Sequence, residues 1–149
     1  AGAWLRALAG LRALAHAGLF PIVTLTQPAH ENARDFATRA TSMLLAEGVR
    51  TPRLKLLPMF RLGREATRSG GYAETETLAG LPHEAFDPDR LQCGRCRAVT
   101  SRGVYVCPLL VDEPGGRMSD SLAGSARAFP LAHGACTTCW VSGMTCANG

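Results

Sequence analysis

Lysine and long apolar runs are both scarce in this chain of 149 residues. Lys55 is the single lysine among 16 basic side chains, so the formal charge of +4 reflects arginine usage. Lysine-rich arms are typical of nucleic-acid binding, and without one no nucleic-acid partner is expected. The sequence has no run of eighteen apolar residues, so no segment is expected to span a membrane.

The opening segment also lacks the features of a secretion signal. Arg6 and Arg12 interrupt its apolar stretch, and no basic segment precedes that stretch. The spacing of Trp4, Leu8 and Leu11 instead predicts an amphipathic helix. We therefore expect a cytoplasmic protein with no membrane partner.

The first sixty residues contain a repeat of helix and strand, in a chain whose 46% hydrophobic and 19% charged residues are typical of a globular protein. A helix over 3–17 precedes an apolar strand over 20–26 that is expected to be covered on both faces. Asn32 is expected to cap a second helix that runs to about residue 47 and ends at Gly48, and a strand follows over 53–60. This order predicts an α/β fold with parallel strands, from either a barrel or an open sheet.

From Gly63 onward the pattern changes. Residues 63–91 are polar and rich in Gly and Pro, and are expected to be loop and linker with a short helix near 74–78. Two β-prone runs on either side of Gly103 predict a hairpin. A short helix is expected within 119–129, and the tail from Cys136 is expected to be a tight loop.

All six cysteines lie in residues 93–149, and three interpretations of them are open. A disulfide framework suits the even count but is typical of secreted proteins. A structural zinc site would use two CxxC pairs. Iron–sulfur ligation alone would employ all six sulfurs. The cysteines are Cys93, Cys96, Cys107, Cys136, Cys139 and Cys146, and the zinc interpretation leaves Cys107 and Cys146 unused.

Several segments resemble the carboxyl-terminal part of a radical S-adenosylmethionine protein with an auxiliary cluster domain of the SPASM or Twitch type. They are "LFPIVTLT", "EGVRTPRLKLLPMFRLGREATRSGGY", "CGRCRAVTSRGVYVCPLL" and "CTTCWVSGMTC". The resemblance implies a partial parallel (β/α) barrel over 1–80, a linker over 81–92 and a small cysteine-rich α+β domain over 93–149.

The resemblance also implies a set of metal ligands. In that family a cysteine, a glycine about ten residues later and a second cysteine form a cluster-bearing hairpin, which Cys93, Gly103 and Cys107 match. A later CxxC with one further cysteine matches Cys136, Cys139 and Cys146. One or two 4Fe-4S clusters are implied, and whether Cys96 is a ligand or a bystander is left open.

The CxxxCxxC loop that such proteins use to bind and cleave S-adenosylmethionine does not occur in this sequence. The resemblance therefore implies a fragment whose partner is the missing amino-terminal half of the barrel, with S-adenosylmethionine bound only in the full-length enzyme. There the auxiliary cluster would support substrate binding or electron transfer, with a peptide or small molecule as substrate. The alternative is a non-catalytic zinc module for structure or interaction, built on the two CxxC pairs.

Four residues at the predicted barrel strands are candidates for contact with cofactor or substrate. Thr24 and Thr26 end one strand, and Arg61 and Arg64 follow the other. Side chains at the carboxyl ends of barrel strands face the active site. Threonine is also a common strand residue, and arginine often only solvates the end of a strand, so both interpretations are kept.

Three arginines lie close in sequence to the first cysteines: Arg95, Arg97 and Arg102. Positive neighbours stabilise the negative charge of a thiolate-bound cluster. The alternative is that they are surface residues of a polar hairpin.

Overall fold

The structure, a computed structural model, describes residues 2–82, 84–87, 89 and 91–143. The chain has mixed α and β structure, as predicted, and divides into two compact units. The first unit runs up to Met59 and the second begins at Phe60. Residues 60–80, which the sequence analysis assigns to the barrel part, thus lie in the second unit.

The first unit follows the predicted order of helix, strand, helix and strand. Its elements are α1 (Ala3–His16), β1 (Ile22–Thr26), α2 (Ala33–Ala46) and β2 (Arg53–Leu57). The two strands pair in parallel, with Thr24 opposite Lys55. The predicted pairing is confirmed, although both strands are shorter than expected.

Local signals place the ends of α2 where the sequence predicts them. The Asn32 side chain accepts hydrogen bonds from the backbone N–H groups of Arg34 and Asp35, at 2.8 and 3.3 Å. Gly48 follows the helix with a φ of +83°, a conformation that glycine adopts without a steric penalty. The predicted cap and stop are both confirmed.

The core of the first unit lies on one side of its sheet. Leu8 of α1 and Leu44 of α2 are buried together with Val49, and Val23 and Leu54 of the two strands pack against them. The alternate side chains of β1, at Ile22, Thr24 and Thr26, are exposed. The expectation that this strand is covered on both faces is therefore wrong, because both helices contribute to the cluster on the other face.

The second unit contains a helix, a small sheet and a second helix. These are α3 (Arg64–Ser69), the antiparallel strands β3 (Ala98–Thr100), β4 (Gly103–Tyr105) and β5 (Arg117–Ser119) in that spatial order, and α4 (Gly134–Val141). Short 3₁₀ turns occupy Gln92–Gly94, Pro108–Leu110 and Ala123–Ser125.

The hairpin of β3 and β4 turns at the glycine that the sequence singles out. Gly103 has a φ of +130°, and a Cβ atom there would lie 2.8 Å from Nε of Arg117. The position therefore requires glycine for both its conformation and its space. The predicted hairpin is confirmed.

Other expectations for the second unit are wrong. The helix α3 lies in the expected loop, and α4 occupies the expected tight tail. Ser119 ends β5 and residues 120–129 contain a 3₁₀ turn in place of the expected helix, while residues 74–78 form one turn, at 74–75, followed by irregular chain. The signal for α4 is unusual because its cap is His133, whose Nδ1 accepts a hydrogen bond from the Ala135 N–H at 3.1 Å.

Nine buried side chains among the described residues form the core of the second unit: Leu78, Phe86, Leu91, Val106, Leu110, Met118, Leu131, Ala135 and Cys136. Three further cysteines, Cys93, Cys107 and Cys139, are half-buried against this cluster. None of the helices in the described part of the chain has the length and apolar content that crossing a bilayer requires.

Candidate metal centre

Four of the six cysteines line one small cavity in the second unit. They are Cys93, Cys107, Cys136 and Cys139. The remaining walls are formed by Leu91, Leu109, Leu110 and Ala135, and the cavity volume is about 20 Å³. Among the described residues of the lining, the four sulfurs are thus the only side-chain groups that can bind a metal.

The first two sulfurs are positioned by segments that follow buried residues. Cys93 lies in the 3₁₀ turn Gln92–Gly94, directly after the buried Leu91. Cys107 follows the fully buried Val106, whose N–H donates to the carbonyl of Gly116 at 3.0 Å. This bond continues the pairing of β4 with β5 to the residue before Cys107.

The other two sulfurs come from α4, where a spacing of three residues places Cys136 and Cys139 on one side of the helix. Tyr72 holds this helix in place. Its hydroxyl shares a hydrogen bond of 2.9 Å with Thr138, and a Cβ atom at Gly134 would lie 2.5 Å from the tyrosine ring. Glycine at the start of α4 therefore allows the close approach of Tyr72.

Burial dominates the electrostatics of Cys136, which is 6% exposed. Loss of water, and to a smaller extent charge repulsion from the thiolates of Cys93 and Cys107, together raise the pKa of the Cys136 thiol to about 12. Hydrogen bonds from the backbone at His133 and at Cys136 itself act in the opposite direction. A bound cation would offset the first two effects, because it stabilises thiolates directly.

The remaining predicted ligands have different outcomes. Cys96 is exposed and is not part of the cavity lining, whereas Cys146 lies outside the described residues. The two CxxC pairs of the zinc interpretation are therefore not gathered together, since Cys107 takes the place of Cys96. Within the described residues, no three His, Cys, Asp or Glu side chains form a group that could hold a metal ion as they stand. The sulfurs share a cavity without the close spacing of a bound ion, so metal binding requires the side chains to adjust.

The chemistry of the donor set fits a metal that prefers sulfur. Thiolate ligands select zinc, copper(I) and iron–sulfur clusters, and apolar walls limit access of water to such a site. No family model, curated protein or solved structure matches this chain. The identity of the bound group is therefore inferred from the residues themselves.

The arginines near the first cysteines have separate contacts. Arg97 donates hydrogen bonds to four backbone carbonyls, those of Cys93, Cys96, Ser125 and Arg127. Arg102 forms an ion pair with Asp112 at 2.6 Å, and Arg95 is exposed. Of the three, Arg97 alone contacts the backbone of a cysteine that lines the cavity.

The four candidates at the predicted barrel strands are divided between the units. Thr24 and Thr26 are exposed on β1 in the first unit. Arg61 lies in the second unit, where its guanidinium pairs with Glu76 and stacks 4.3 Å from the ring centroid of Tyr72. Arg64 begins α3 and is exposed. The contacts of Arg61 are those of a structural residue.

Two parts of the site have no local signal in the sequence. Tyr72 contacts α4 across 66 positions of chain, and Arg97 contacts Ser125 and Arg127 across about thirty. Neither residue belongs to a recognised ligand motif. The sequence does mark Arg97 as a neighbour of the cysteines, but for its charge and not for its hydrogen bonds.

Proposed function

We propose that Cys93, Cys107, Cys136 and Cys139 bind one 4Fe-4S cluster in an auxiliary domain of the SPASM or Twitch type. The observation that carries this proposal is the cavity shared by the four thiols, which come from three separate segments. Iron–sulfur clusters are held by four cysteine thiolates, which distant segments of a chain can supply. The cavity includes Cys107, the cysteine that the motif of that family pairs with Cys93.

The chain's own residues supply the environment that such a cluster needs. Leu91, Leu109 and Leu110 form apolar walls that limit access of water, and backbone groups at His133 and Cys136 hydrogen-bond to the Cys136 sulfur. Hydrogen bonds to sulfur and low solvent access both tune the reduction potential of a cluster. A bound 4Fe-4S cluster would supply either an electron-transfer centre or an iron atom for substrate binding.

The wider proposal is that this chain belongs to a radical S-adenosylmethionine enzyme and that the first unit is part of its (β/α) barrel. The proposal is supported by the parallel pairing of β1 and β2 with helices packed against one face, which a barrel segment and an open sheet have in common. The chain has no CxxxCxxC sequence, so it is not expected to cleave S-adenosylmethionine alone. Its substrate in the intact enzyme would be a peptide or a small molecule.

A structural zinc site is the second candidate, and the all-thiol lining of the cavity favours it as well. Tetrahedral Cys₄ coordination is common in structural zinc sites. The ligands would be the same four cysteines, with Cys107 in place of Cys96. A zinc site of this kind would make the second unit a non-catalytic module for structure or interaction.

Anaerobic reconstitution of the full chain with iron and sulfide distinguishes these candidates. We expect about four iron and four sulfide per chain, with the visible absorption and the EPR signal on reduction that a 4Fe-4S cluster gives. Cys107→Ser should lose most of the iron, whereas the control Cys96→Ser should keep it. Tight binding of one zinc with no iron would establish the zinc candidate. Cysteines found joined in disulfides in freshly isolated protein would exclude both.

A further inference from the structure

We propose that Arg97 is a positioning residue that selects Cys93, and not Cys96, as the ligand contributed by the CGRC segment. This inference rests on the proposed metal site, because it concerns which sulfur enters the cavity. The two cysteines are three residues apart and are equivalent by motif. In the structure Cys93 lines the cavity and Cys96 is exposed.

The contacts of Arg97 explain this choice. Its Nη1 donates to the carbonyl oxygens of Cys93 and Cys96, at 2.6 and 2.7 Å. A single nitrogen thus holds the backbone at both ends of the CxxC segment. Because both carbonyl oxygens bind the same nitrogen, the backbone between them is held in one bent conformation. In this conformation the Cys93 sulfur lies in the cavity and the Cys96 sulfur lies outside it.

The other side of the guanidinium is attached to a separate part of the unit. Nε donates to the carbonyl of Ser125 at 3.1 Å, and Nη2 donates to that of Arg127 at 2.7 Å. Ser125 is 1% exposed, and Arg127 is itself bound through its side chain to the carbonyl of Met118 at 3.0 Å. The CxxC segment is therefore tied to a second segment that is anchored by the buried Ser125 and by the hydrogen bond of Arg127 to Met118.

The role proposed for Arg97 depends on its hydrogen bonds and not only on its positive charge. A guanidinium has five N–H donors in a fixed planar arrangement, whereas an ammonium has three on a compact centre. Lysine at position 97 would keep the positive charge but could not span four carbonyls in two segments. Arg97→Lys and Arg97→Gln therefore separate the role of the charge from the role of the hydrogen bonds.

The test combines changes at Arg97 with changes at the two cysteines. Cys93→Ser and Cys96→Ser are each prepared with Arg97, with Arg97→Lys and with Arg97→Gln, and iron is measured after anaerobic reconstitution. With Arg97 present, Cys93→Ser should lose most of the iron and Cys96→Ser almost none. With Arg97→Gln or Arg97→Lys, the two serine variants should retain similar amounts, because Cys96 can then replace Cys93.

A general loss of structure would lower iron binding in every variant without changing which cysteine is required. If the double variant Cys93→Ser/Arg97→Gln retains more iron than Cys93→Ser, a general loss of structure cannot be the cause. This result therefore supports selection of Cys93 by Arg97. If Cys93→Ser loses as much iron with Arg97→Lys and with Arg97→Gln as it does with Arg97, Cys96 does not replace Cys93 and the role of Arg97 is overturned.

A second measurement does not depend on a cluster. Alkylation of the full chain without reconstitution, followed by mass spectrometry, gives the ratio of the rates at Cys96 and Cys93. We expect Cys96 to react several-fold faster in the parent chain and the ratio to approach one in Arg97→Gln. If the parent chain binds no iron but this ratio still falls, the cluster proposal fails while the positioning role stands. Equal rates in the parent chain would overturn the positioning role.

Discussion

The first unit of this protein has the longer helices and strands, whereas the second unit has the larger buried core. The first unit has two helices of 14 residues each and paired five-residue strands, but only Leu8, Leu44 and Val49 form its buried cluster. In the second unit, as far as the structure describes it, the strands have three residues and nine side chains are buried in one cluster. Regular hydrogen bonding and core formation are therefore separate sources of order. In the second unit the core also forms the walls of the cysteine cavity.

Truncation of a buried leucine in each unit should give the largest effects. Leu110 is 1% exposed and lines the cavity, and Leu8 is fully buried in the first unit. Removal of either side chain leaves a void, so we expect a loss of about 2–5 kcal/mol in the free energy of unfolding of the affected unit. Urea unfolding of Leu110→Ala and Leu8→Ala measures both losses.

The rate of Cys136 alkylation distinguishes these two variants. Leu110→Ala should speed alkylation of Cys136, because it opens the cavity wall, whereas Leu8→Ala should leave that rate unchanged. Equal acceleration of Cys136 alkylation in both variants would mean that the two units do not unfold independently. The two cores would then not be independent sources of stability.

Glycine-to-alanine changes in the two units should have opposite signs. A Cβ atom at Gly134 would lie 2.5 Å from the Tyr72 ring, so Gly134→Ala should cost about 1–3 kcal/mol and displace α4 with its two cysteines. A Cβ atom at Gly10, within α1, would meet nothing within 4 Å. Gly10→Ala should therefore stabilise the protein by about 0.5–1 kcal/mol.

Thermal unfolding and iron retention check both glycine changes. We expect Gly134→Ala to lower the melting temperature and the iron content, and Gly10→Ala to raise the melting temperature alone. Retention of full iron content in a destabilised Gly134→Ala protein would show that the position of α4 does not control the cavity.

The helix caps of the two units should differ less. Asn32 accepts two backbone hydrogen bonds at the start of α2, and Asn32→Ala should cost about 1 kcal/mol. His133 accepts one such bond at the start of α4 and contacts Tyr72 edge-on at a centroid distance of 5.8 Å. His133→Ala should cost a similar amount, and it alone should also lower iron retention. An effect of Asn32→Ala on iron would contradict this division.

Prediction from sequence succeeds where the determinants are local. The Asn32 cap, the Gly48 stop and the Gly103 turn each act within a few residues, and each is confirmed. The helix α4 was missed because histidine is an unusual cap and because Tyr72, 66 positions away from Thr138, packs against it. Residue spacing carries no information about a contact of that kind.

The candidate site shows the same limit. Sequence clustering identifies the cysteines, and four of them share the cavity. Which of Cys96 and Cys107 lines the cavity depends on the path of the backbone through both segments. The spacing of Cys93 and Cys96 does not determine that path. Residue spacing likewise does not predict the contacts of Arg61 with Glu76 and Tyr72, and its contact with a cofactor or substrate stays a prediction.

The smallest expected effect concerns the ion pair that supports Tyr72. A hydrogen bond from the Ala73 N–H, followed by the Arg61 side chain, holds the pKa of Glu76 below its ordinary value of 4.5. A lowered pKa in the folded state stabilises the protein above the pKa of the unfolded state, and this contribution is lost as the pH falls through the folded value. Glu76→Gln should therefore lower the melting temperature slightly at neutral pH, and the difference from the parent should vanish well below pH 4.5. Glu65 is the matched control, because its pair with the exposed Arg68 is longer, at 3.4 Å, and Glu65→Gln should change almost nothing. If Glu76→Gln gives the same difference at every pH, the ion pair does not support Tyr72, and the order of this region comes from its apolar contacts alone.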